Sequence, residues 1–119
     1  MQRFNVAAYL RLSKEEFSNE KESNSITNQK LIMDNYLKEH KEYKLVDYYI
    51  DDGYSGTNFD RPKFKELLDD ISKGIINCVI TKDLSRLGRD FIETNNYIYK
   101  YFPENGIRYI SILDNLDTE

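Results

Sequence analysis

The chain has 119 residues, the length of one domain, and 39% of them are hydrophobic and 32% charged. Its net charge of −4 excludes the uniformly basic surface that many nucleic-acid-binding domains carry, so any anion site must be local. The single cysteine, Cys78, excludes an internal disulfide and suits a reducing cytoplasm, and no apolar run is long enough to cross a bilayer. We therefore expect a cytoplasmic domain with its own core and no membrane partner.

Four short apolar segments predict β-strands. They are FNVAAYL (4–10), KLVDYYI (44–50), IINCVIT (75–81) and IRYISIL (107–113). Cys78 lies within the third segment, which predicts a buried, unreactive residue. Between the first strand and the next helix, the polar segment SKEEFSNEKESNS (13–25) predicts a mobile surface loop.

Helical periodicity and capping residues predict three helices, one after each of the first three strands. Their expected bounds are 25–40, 60–74 and, starting at Ser85 or Gly88, up to Phe102. Ser25 and Asp60 are the expected N-caps, and Pro62 suits a first turn. The side chains expected to pack inward are Ile26, Met33, Tyr36, Leu37, Phe64, Leu67, Leu68, Ile71, Phe91, Ile92, Tyr97, Ile98 and Tyr101.

The strand–helix alternation predicts an α/β fold, a three-layer sandwich with a mainly parallel central sheet of about four to five strands. Residues 1–119 form one domain in this prediction. A sheet of this kind is normally followed by another covering helix, so we expect the chain to belong to a longer protein.

Ligands of open α/β sheets bind outside the carboxyl ends of the strands. The unusual polar residues of this sequence follow the first three strands, so parallel strands would bring them to one edge. They are Arg11 and Ser13, then Asp51, Asp52, Ser55, Gly56 and Arg61, and finally Lys82, Asp83, Ser85, Arg86 and Arg89.

This set suits phosphoryl transfer, which needs a nucleophile, cations for the phosphate oxygens and an acid for the leaving oxygen. Lysines outnumber arginines eleven to six, and four of the arginines lie in loop-like sequence, where their forked donors suit phosphate. The only histidine, His40, lies in a hydrophilic stretch, which argues against a Ser–His–Asp triad. The sequence has neither a GxxxxGK[ST] loop nor a His/Cys cluster for zinc.

Each of these residues also has an ordinary structural interpretation. Ser13 can cap a turn, and Arg86 and Arg89, three residues apart, can form one exposed helical face. Tyr9 can be a core residue with its hydroxyl at the rim. Asp51 and Asp52 can be turn-forming residues, and Gln29 can lie on the surface of a helix.

Four motifs in order resemble the catalytic domain of the serine recombinases, the family of resolvases, invertases and large serine integrases or transposases. YLRLS (9–13) resembles the nucleophile motif Y-x-R-x-S, and SITNQ (25–29) resembles the helix-one segment that brings Gln29 near the site. DDGYSGTNFDRP (51–62) resembles D-x-x-S-G…D-R, and DLSRLGRD (83–90) resembles L-D-R-L-G-R-D. The DLSRLGRD segment, together with an S-x-x-x-Q segment that follows a long loop, most resembles the large serine recombinases of mobile elements.

The resemblance implies that Ser13 attacks DNA, displaces a deoxyribose 3′-oxygen and becomes joined to the 5′-phosphate. The arginines that would stabilise the transferring phosphate are Arg11, Arg61, Arg86 and Arg89. Asp52 would orient them or assist proton transfer. The supporting residues are Tyr9, Gln29, Ser55 and Ser85. No metal and no high-energy cofactor is implied.

The resemblance also implies partners. The family acts on double-stranded DNA as a homodimer that assembles into a tetramer, and it continues into a long interface helix and a DNA-binding region that residues 1–119 lack. We therefore expect the isolated chain to be inactive. Ser85 occupies the position of an aspartate in many small resolvases, and Asp83, two residues earlier, is not expected to take over its role.

Three alternatives stay open from the residues alone. A receiver-like signalling domain would bind Mg²⁺ through acids after strand one, where this chain has Arg11 and Ser13. A metal-dependent nuclease would use Asp51, Asp52 and Asp83. A catalytically silent relative of the recombinases would keep the fold without the activity.

Overall fold

A computed structural model describes residues 3–13 and 25–119. These residues form a five-stranded sheet with helices on both faces, which confirms the predicted α/β sandwich. Residues 14–24, which make up most of the predicted surface loop, lie outside the described residues.

The strands are β1 (Phe4–Leu12), β2 (Tyr43–Asp52), β3 (Cys78–Thr81), β4 (Arg108–Ser111) and β5 (Leu116–Asp117). Their order in the sheet is β2-β1-β3-β4-β5, and the first four are parallel. The two-residue strand β5 was not predicted; it pairs antiparallel with β4 after a turn in which Asn115 adopts a φ of 55°. The four predicted strands are all present, with β1 and β2 longer than expected and β3 and β4 shorter.

The helices are α1 (Ile26–Glu39), α2 (Pro62–Ser72), α3 (Leu84–Leu87), α4 (Phe91–Asn96) and α5 (Phe102–Glu104), with a π-helical turn, Tyr97–Tyr101, joining the last two. Ser25 caps α1 as predicted, because its hydroxyl oxygen accepts from the Asn28 amide at 3.0 Å. The predicted cap of α2 is wrong. Arg61, not Asp60, is the N-cap residue, and its side chain makes no capping hydrogen bond.

The prediction of one continuous helix from Ser85 or Gly88 to Phe102 is wrong as well. Gly88 is fully extended, with φ −178° and ψ 160°, and it separates α3 from α4. A new helix then begins at its N-cap, Asp90, whose carboxylate accepts from the Glu93 amide at 2.9 Å.

This new start explains why Phe91 and Ile92 do not pack inward as expected. They lie in the first turn of α4 and are 78% and 77% exposed. The most deeply buried positions of this helical segment are Thr94, Ile98 and Phe102, which recur every four residues, and Ile98 is among the residues predicted to pack inward. The other side chains predicted to pack inward from the helices do contact the core.

The core has two halves, one on each face of the sheet. Alternation along β1 sends Ala7 and Tyr9 to the face covered by α2 and the π-helical turn, and Ala8 and Leu10 to the face covered by α1. Cys78 is buried in the second half, and burial raises the pKa of its thiol to about 12, so the predicted inert cysteine is confirmed. Over residues 3–13 and 25–119, no helix has the length and apolar character required to span a membrane.

Candidate active site

The carboxyl ends of β1, β2 and β3 meet at one edge of the sheet, as the parallel arrangement requires. Arg11, near the end of β1, joins the segments that follow the other two strands. Its guanidinium donates from Nη1 to the Tyr54 carbonyl at 3.0 Å, from Nε to the Arg86 carbonyl at 3.2 Å and from Nη2 to the Ser85 carbonyl. Arg11 is completely buried, so it acts as an internal tie between two loops in this structure.

Gln29 holds the main chain of the same residue from the first turns of α1. Its side-chain Nε2 donates to the Arg11 carbonyl at 3.0 Å, and its Oε1 accepts from the Arg11 amide at 3.3 Å. Gln29 is 1% exposed, so its interpretation as a helix-surface residue is wrong. The residue fixes the end of β1 two positions before Ser13, which is itself buried.

Arg61 lies at the same edge and is fully buried. Its Nε donates to the carbonyls of Ser55 and Asn58 at 3.1 and 2.9 Å, and its Nη1 donates to the Leu87 carbonyl at 2.7 Å and to the Tyr9 hydroxyl at 3.0 Å. All four acceptors are neutral. The cation is therefore oriented by the fold without being neutralised by a direct carboxylate partner within the described residues.

Aromatic rings form the floor below Arg61. The guanidinium carbon lies 4.5 Å from the centroid of Phe59 and 5.7 Å from that of Phe64, distances at which a cation is attracted to a ring. Tyr97 packs against both rings, with centroid distances of 4.6 and 5.1 Å. The π-helical turn thus braces the aromatic floor from behind.

Tyr9 connects this arginine to a buried carboxylate. Its hydroxyl donates to Asp51 Oδ2 at 2.8 Å while accepting from Arg61. Desolvation by burial raises the pKa of Tyr9 strongly, against the opposing effect of Arg61, so the hydroxyl stays protonated and keeps its donor. Tyr9 is a core residue, as one interpretation of the sequence had it, but its hydroxyl lies in a buried hydrogen-bond network and not at the rim.

Asp51 and Asp52 have different surroundings because consecutive side chains of a strand point to opposite faces. Asp51 is 1% exposed, and besides Tyr9 it accepts from the amides of Lys63 and Phe64, both at 3.0 Å. Asp51, at the end of β2, therefore caps the N-terminus of α2, because the N-cap residue Arg61 makes no capping hydrogen bond with its own side chain. Alternation along β2, whose last residues are both acidic, was the signal that could have separated the two aspartates.

Asp52 is exposed and, within the part of the chain described, its carboxylate makes no hydrogen bond or ion pair with the site arginines. The expectation that Asp52 orients these arginines is not met in this structure. Its other suggested role, proton transfer, stays a prediction.

Arg86 and Arg89 do not share one face, so their interpretation as an exposed helical pair is wrong. Arg86 is 2% exposed and donates from Nη1 to the Arg11 carbonyl at 2.7 Å. Arg89 follows the extended Gly88 and is exposed. The break at Gly88 turns one arginine inward and leaves the other accessible.

The turn at 53–58 fits tightly against these arginines. The Gly56 carbonyl accepts from the Arg89 amide at 2.6 Å, and a Cβ on Gly56 would lie 2.7 Å from Arg11 Nη2 and 2.9 Å from Arg89 Cγ. Only glycine allows this approach. Ser55 contributes its carbonyl to Arg61, whereas its hydroxyl makes a local contact of 2.7 Å with the Thr57 hydroxyl.

The surface beside Arg89 is a shallow recess of about 210 Å³. Its lining residues are Leu84, Gly88, Arg89, Asp90, Phe91, Thr94 and Asn95. The accessible arginine therefore lies at the wall of an opening rather than on a flat surface. No group of three or more His, Cys, Asp or Glu side chains placed to hold a metal ion occurs in residues 3–13 and 25–119.

The fold and site define an α/β domain in which a serine and four arginines gather at the carboxyl edge of a parallel sheet. The chain belongs to the resolvase N-terminal domain family, whose model matches residues 6–119. It is thus a serine recombinase catalytic domain of the DNA strand-transferase class, with a function in site-specific DNA recombination. The family implies DNA binding and oligomerisation in general.

Solved structures of recombinase catalytic domains are similar to this chain in fold. The N-terminal catalytic domain of TP901-1 integrase is 29% identical, with a TM-score of 0.84 over 96% of this chain and 81% of that one. The C-terminal catalytic domain of ISC1926 TnpA, an IS607-like serine recombinase, is 26% identical, with a TM-score of 0.72 over 91% and 67%. A resolvase family site-specific recombinase from Streptococcus pneumoniae shares the fold at 24% identity, with a TM-score of 0.77 over 98% and 76%. No match was found among curated protein sequences.

Proposed function

We propose that Ser13 is the nucleophile with which this domain cleaves and rejoins DNA. The Oγ–phosphorus bond forms as the bond from phosphorus to the deoxyribose 3′-oxygen breaks. The serine proton leaves, and the departing 3′-oxygen gains one, so the product is a 5′-phosphoserine and a free 3′-hydroxyl. The observation that carries the proposal is that Ser13 is buried two residues after Arg11, whose carbonyl accepts a hydrogen bond from Arg86 Nη1 at 2.7 Å.

The four arginines supply the positive charge that the transferring phosphate needs. Arg89 is the exposed member and makes the first contact with a scissile phosphate. Arg61 and Arg86 are buried, where a fixed charge acts more strongly than in water; Arg61 has neutral acceptors, whereas Arg86 donates to the Arg11 carbonyl and also faces the Asp83 carboxylate. Arg11 contributes its charge and also ties the loops together.

The proposed setting is a longer protein in which residues 1–119 are the catalytic domain. Its further segments provide a long interface helix and a DNA-binding region, and homodimers assemble into tetramers on double-stranded DNA. The net charge of −4 supports this division, because this domain lacks a generally basic surface for DNA. The single buried cysteine supports a cytoplasmic location.

The test is covalent capture with the full-length protein and DNA that carries its recombination site, in the presence of a chelator. A denaturing gel should show a protein–DNA adduct that maps to Ser13 and disappears in Ser13→Ala. Ser72→Ala is the matched control, because Ser72 lies exposed at the end of α2 and its hydroxyl, among the described residues, donates only to the Asp69 carbonyl of its own helix.

Each result is decisive for one hypothesis. Equal adducts in the wild type and in Ser13→Ala would show that another group is the nucleophile. Cleavage that chelator abolishes would favour the metal-dependent nuclease. Intact DNA in a complex shown to be bound would favour a catalytically silent relative.

A further inference from the structure

The carboxylate of Asp83 lies beside the guanidinium of Arg86, although it is three residues earlier in the sequence. Asp83 Oδ1 is 3.5 Å from Arg86 Nε, and Oδ2 is 3.8 Å from Lys82 Nζ. The Asp83 side chain is 23% exposed and that of Arg86 2% exposed. The partly exposed carboxylate of Asp83 thus lies between the buried Arg86 guanidinium and the solvent.

Asp83 also controls what Ser85 can offer to the same arginine. A serine hydroxyl has one hydrogen, and Ser85 donates it to Asp83 Oδ1 at 2.6 Å. Its oxygen is then left as an acceptor, and Arg86 Nη2 donates to it at 3.2 Å. Without Asp83 the hydroxyl would be free to rotate and to turn its hydrogen elsewhere.

These contacts fix the Arg86 guanidinium from more than one side. Nη1 is bound by the Arg11 carbonyl at 2.7 Å, Nη2 by the Ser85 hydroxyl, and Nε faces the Asp83 carboxylate. The two hydrogen bonds and the ion pair, in which Nε makes no hydrogen bond among the described residues, restrict the rotation of this planar cation. Asp83 therefore contributes to the orientation of Arg86 toward the peptide segment that carries Ser13.

We propose that Asp83 is a positioning residue for DNA cleavage and acts on Arg86 both directly and through Ser85. The proposal rests on the function proposed above, in which Arg86 stabilises the phosphate that Ser13 attacks. It reverses the expectation that Asp83 takes no such role. It also predicts that the negative charge can be moved from position 83 to position 85 without loss of function.

A purely structural role is the competing explanation, because Asp83 is also the N-cap of α3 and accepts from the Arg86 amide at 3.1 Å. Serine is as good an N-cap as aspartate but carries no charge. Asp83→Ser therefore preserves the cap and removes the carboxylate. The double variant Asp83→Ser/Ser85→Asp then returns a carboxylate to the neighbourhood of Arg86.

The experiment measures the single-turnover rate of adduct formation by the full-length protein at saturating site DNA, together with DNA affinity and melting temperature. Asp83→Ser should lower the rate by about 10- to 100-fold, the scale expected when a catalytic group is misplaced. DNA affinity and melting temperature should change little. The double variant should recover most of the wild-type rate.

An unchanged rate in Asp83→Ser would overturn the proposal. So would a loss of rate that follows a loss of melting temperature and that the double variant does not restore. A second readout is independent of the chemistry: the Nε–H signal of Arg86 in NMR spectra of arginine-labelled protein, assigned with Arg86→Lys. That signal should shift in Asp83→Ser and return toward its wild-type position in the double variant.

The two readouts keep this proposal distinct from the proposed function. Absence of a Ser13 adduct in the wild type would refute the proposed function. An Arg86 signal that Asp83→Ser leaves unchanged would refute the positioning role, whether or not the wild type cleaves DNA.

Discussion

Two arginines on opposite edges of the sheet are held in contrasting ways. Arg108 begins β4 and lies over aromatic rings, with its guanidinium carbon 4.9 Å from the Phe4 centroid. It donates from Nε and Nη2 to the Asp117 carboxylate at 2.9 and 2.6 Å, and its Nη1 lies 3.3 Å from Glu119. Arg61 also lies over aromatic rings, but carbonyls and one tyrosine hydroxyl are its acceptors.

The two arginines differ in whether nearby carboxylates neutralise the positive charge of the guanidinium. Two carboxylates neutralise Arg108, so its contacts serve to hold β5 against β4. Arg61 is oriented as firmly by neutral dipoles, and its charge is left to act on an anion that arrives at the edge of the sheet. Burying an unneutralised cation is costly, which is the sort of cost that functional sites carry and structural sites avoid.

The largest effect should come from removing the Arg61 charge. Arg61→Met keeps a long apolar stem on the aromatic floor and removes the cation, so the rate of adduct formation should fall by about 100- to 1,000-fold. The carbonyls of Asn58 and Leu87 lose their donor, which should also lower the free energy of unfolding by about 1–3 kcal/mol. Single-turnover cleavage and urea denaturation of the full-length protein measure the two effects separately.

Gly56 should give the next largest effect, because an added Cβ would press on Arg11 and Arg89 at less than 3 Å. Gly56→Ala should lower the free energy of unfolding by about 1–3 kcal/mol, as overpacking does, and slow cleavage as well. The matched control is Gly74→Ala at the end of α2, where φ is +75° but no atom lies within 4 Å of an added Cβ. That variant should cost about 1 kcal/mol through backbone strain and leave cleavage unchanged. Equal cleavage rates in the two variants would show that the close approach at Gly56 has no functional consequence.

Arg108→Met is the counterpart of Arg61→Met at the opposite edge. It should lower the free energy of unfolding by about 1–2 kcal/mol, less than for a fully buried pair because Asp117 and Glu119 are 39% and 59% exposed. The rate of adduct formation at saturating DNA should not change. A loss of cleavage comparable to that of Arg61→Met would mean that neutralisation by carboxylates does not separate the structural arginine from the functional one.

The parts of this comparison that the sequence could predict are those with a local signal. Apolar segments located the four parallel strands, and their alternation with helices placed Arg11, Ser13 and Arg86 at one edge. The fold follows from such patterns because burial of apolar side chains dominates it. Polar contacts between distant segments leave no periodicity. The capping of α2 by Asp51, the hold of Gln29 on Arg11 and the contact of Asp83 with Arg86 therefore became visible only in the structure.

The third predicted helix shows that a local pattern can also mislead when distant contacts decide the structure. A helical pattern from Ser85 to Phe102 predicted one element, but the extended backbone at Gly88 divides it and reverses the environment of Phe91 and Ile92. A Cβ at Gly88 would lie 2.5 Å from Phe59 Cζ and 2.6 Å from Thr94 Oγ1. The break at Gly88 is thus part of the packing near the aromatic floor of Arg61. No local feature of the sequence predicts the close approach of Gly88 to Phe59 and Thr94.

The smallest expected effect concerns pH and the carboxylate that neutralises Arg108. The hydrogen bond from Arg108 lowers the pKa of Asp117 below its ordinary 3.8, against partial desolvation, which raises it. The folded state therefore binds this proton more weakly than the unfolded state does. The stabilisation is fully present above the ordinary pKa and is lost as the pH falls from about 4 through the lowered folded value. Asp117→Asn should be less stable than the wild type at pH 7, and the gap should narrow as the pH falls below 4.

Asp60 provides the matched control for this pH dependence. The hydrogen bond from Lys65 also lowers the pKa of Asp60, but that pair lies in solvent, with side-chain exposures of 64% for the lysine and 81% for the aspartate. Solvent screening makes such pairs weak, so Asp60→Asn should barely change the unfolding free energy between pH 7 and pH 3. Urea denaturation of both variants across this range makes the comparison. If the two profiles coincide, the bidentate contact of Asp117 with Arg108 adds nothing beyond an ordinary surface pair, and β5 must be held to the sheet by its backbone and by Leu116 instead.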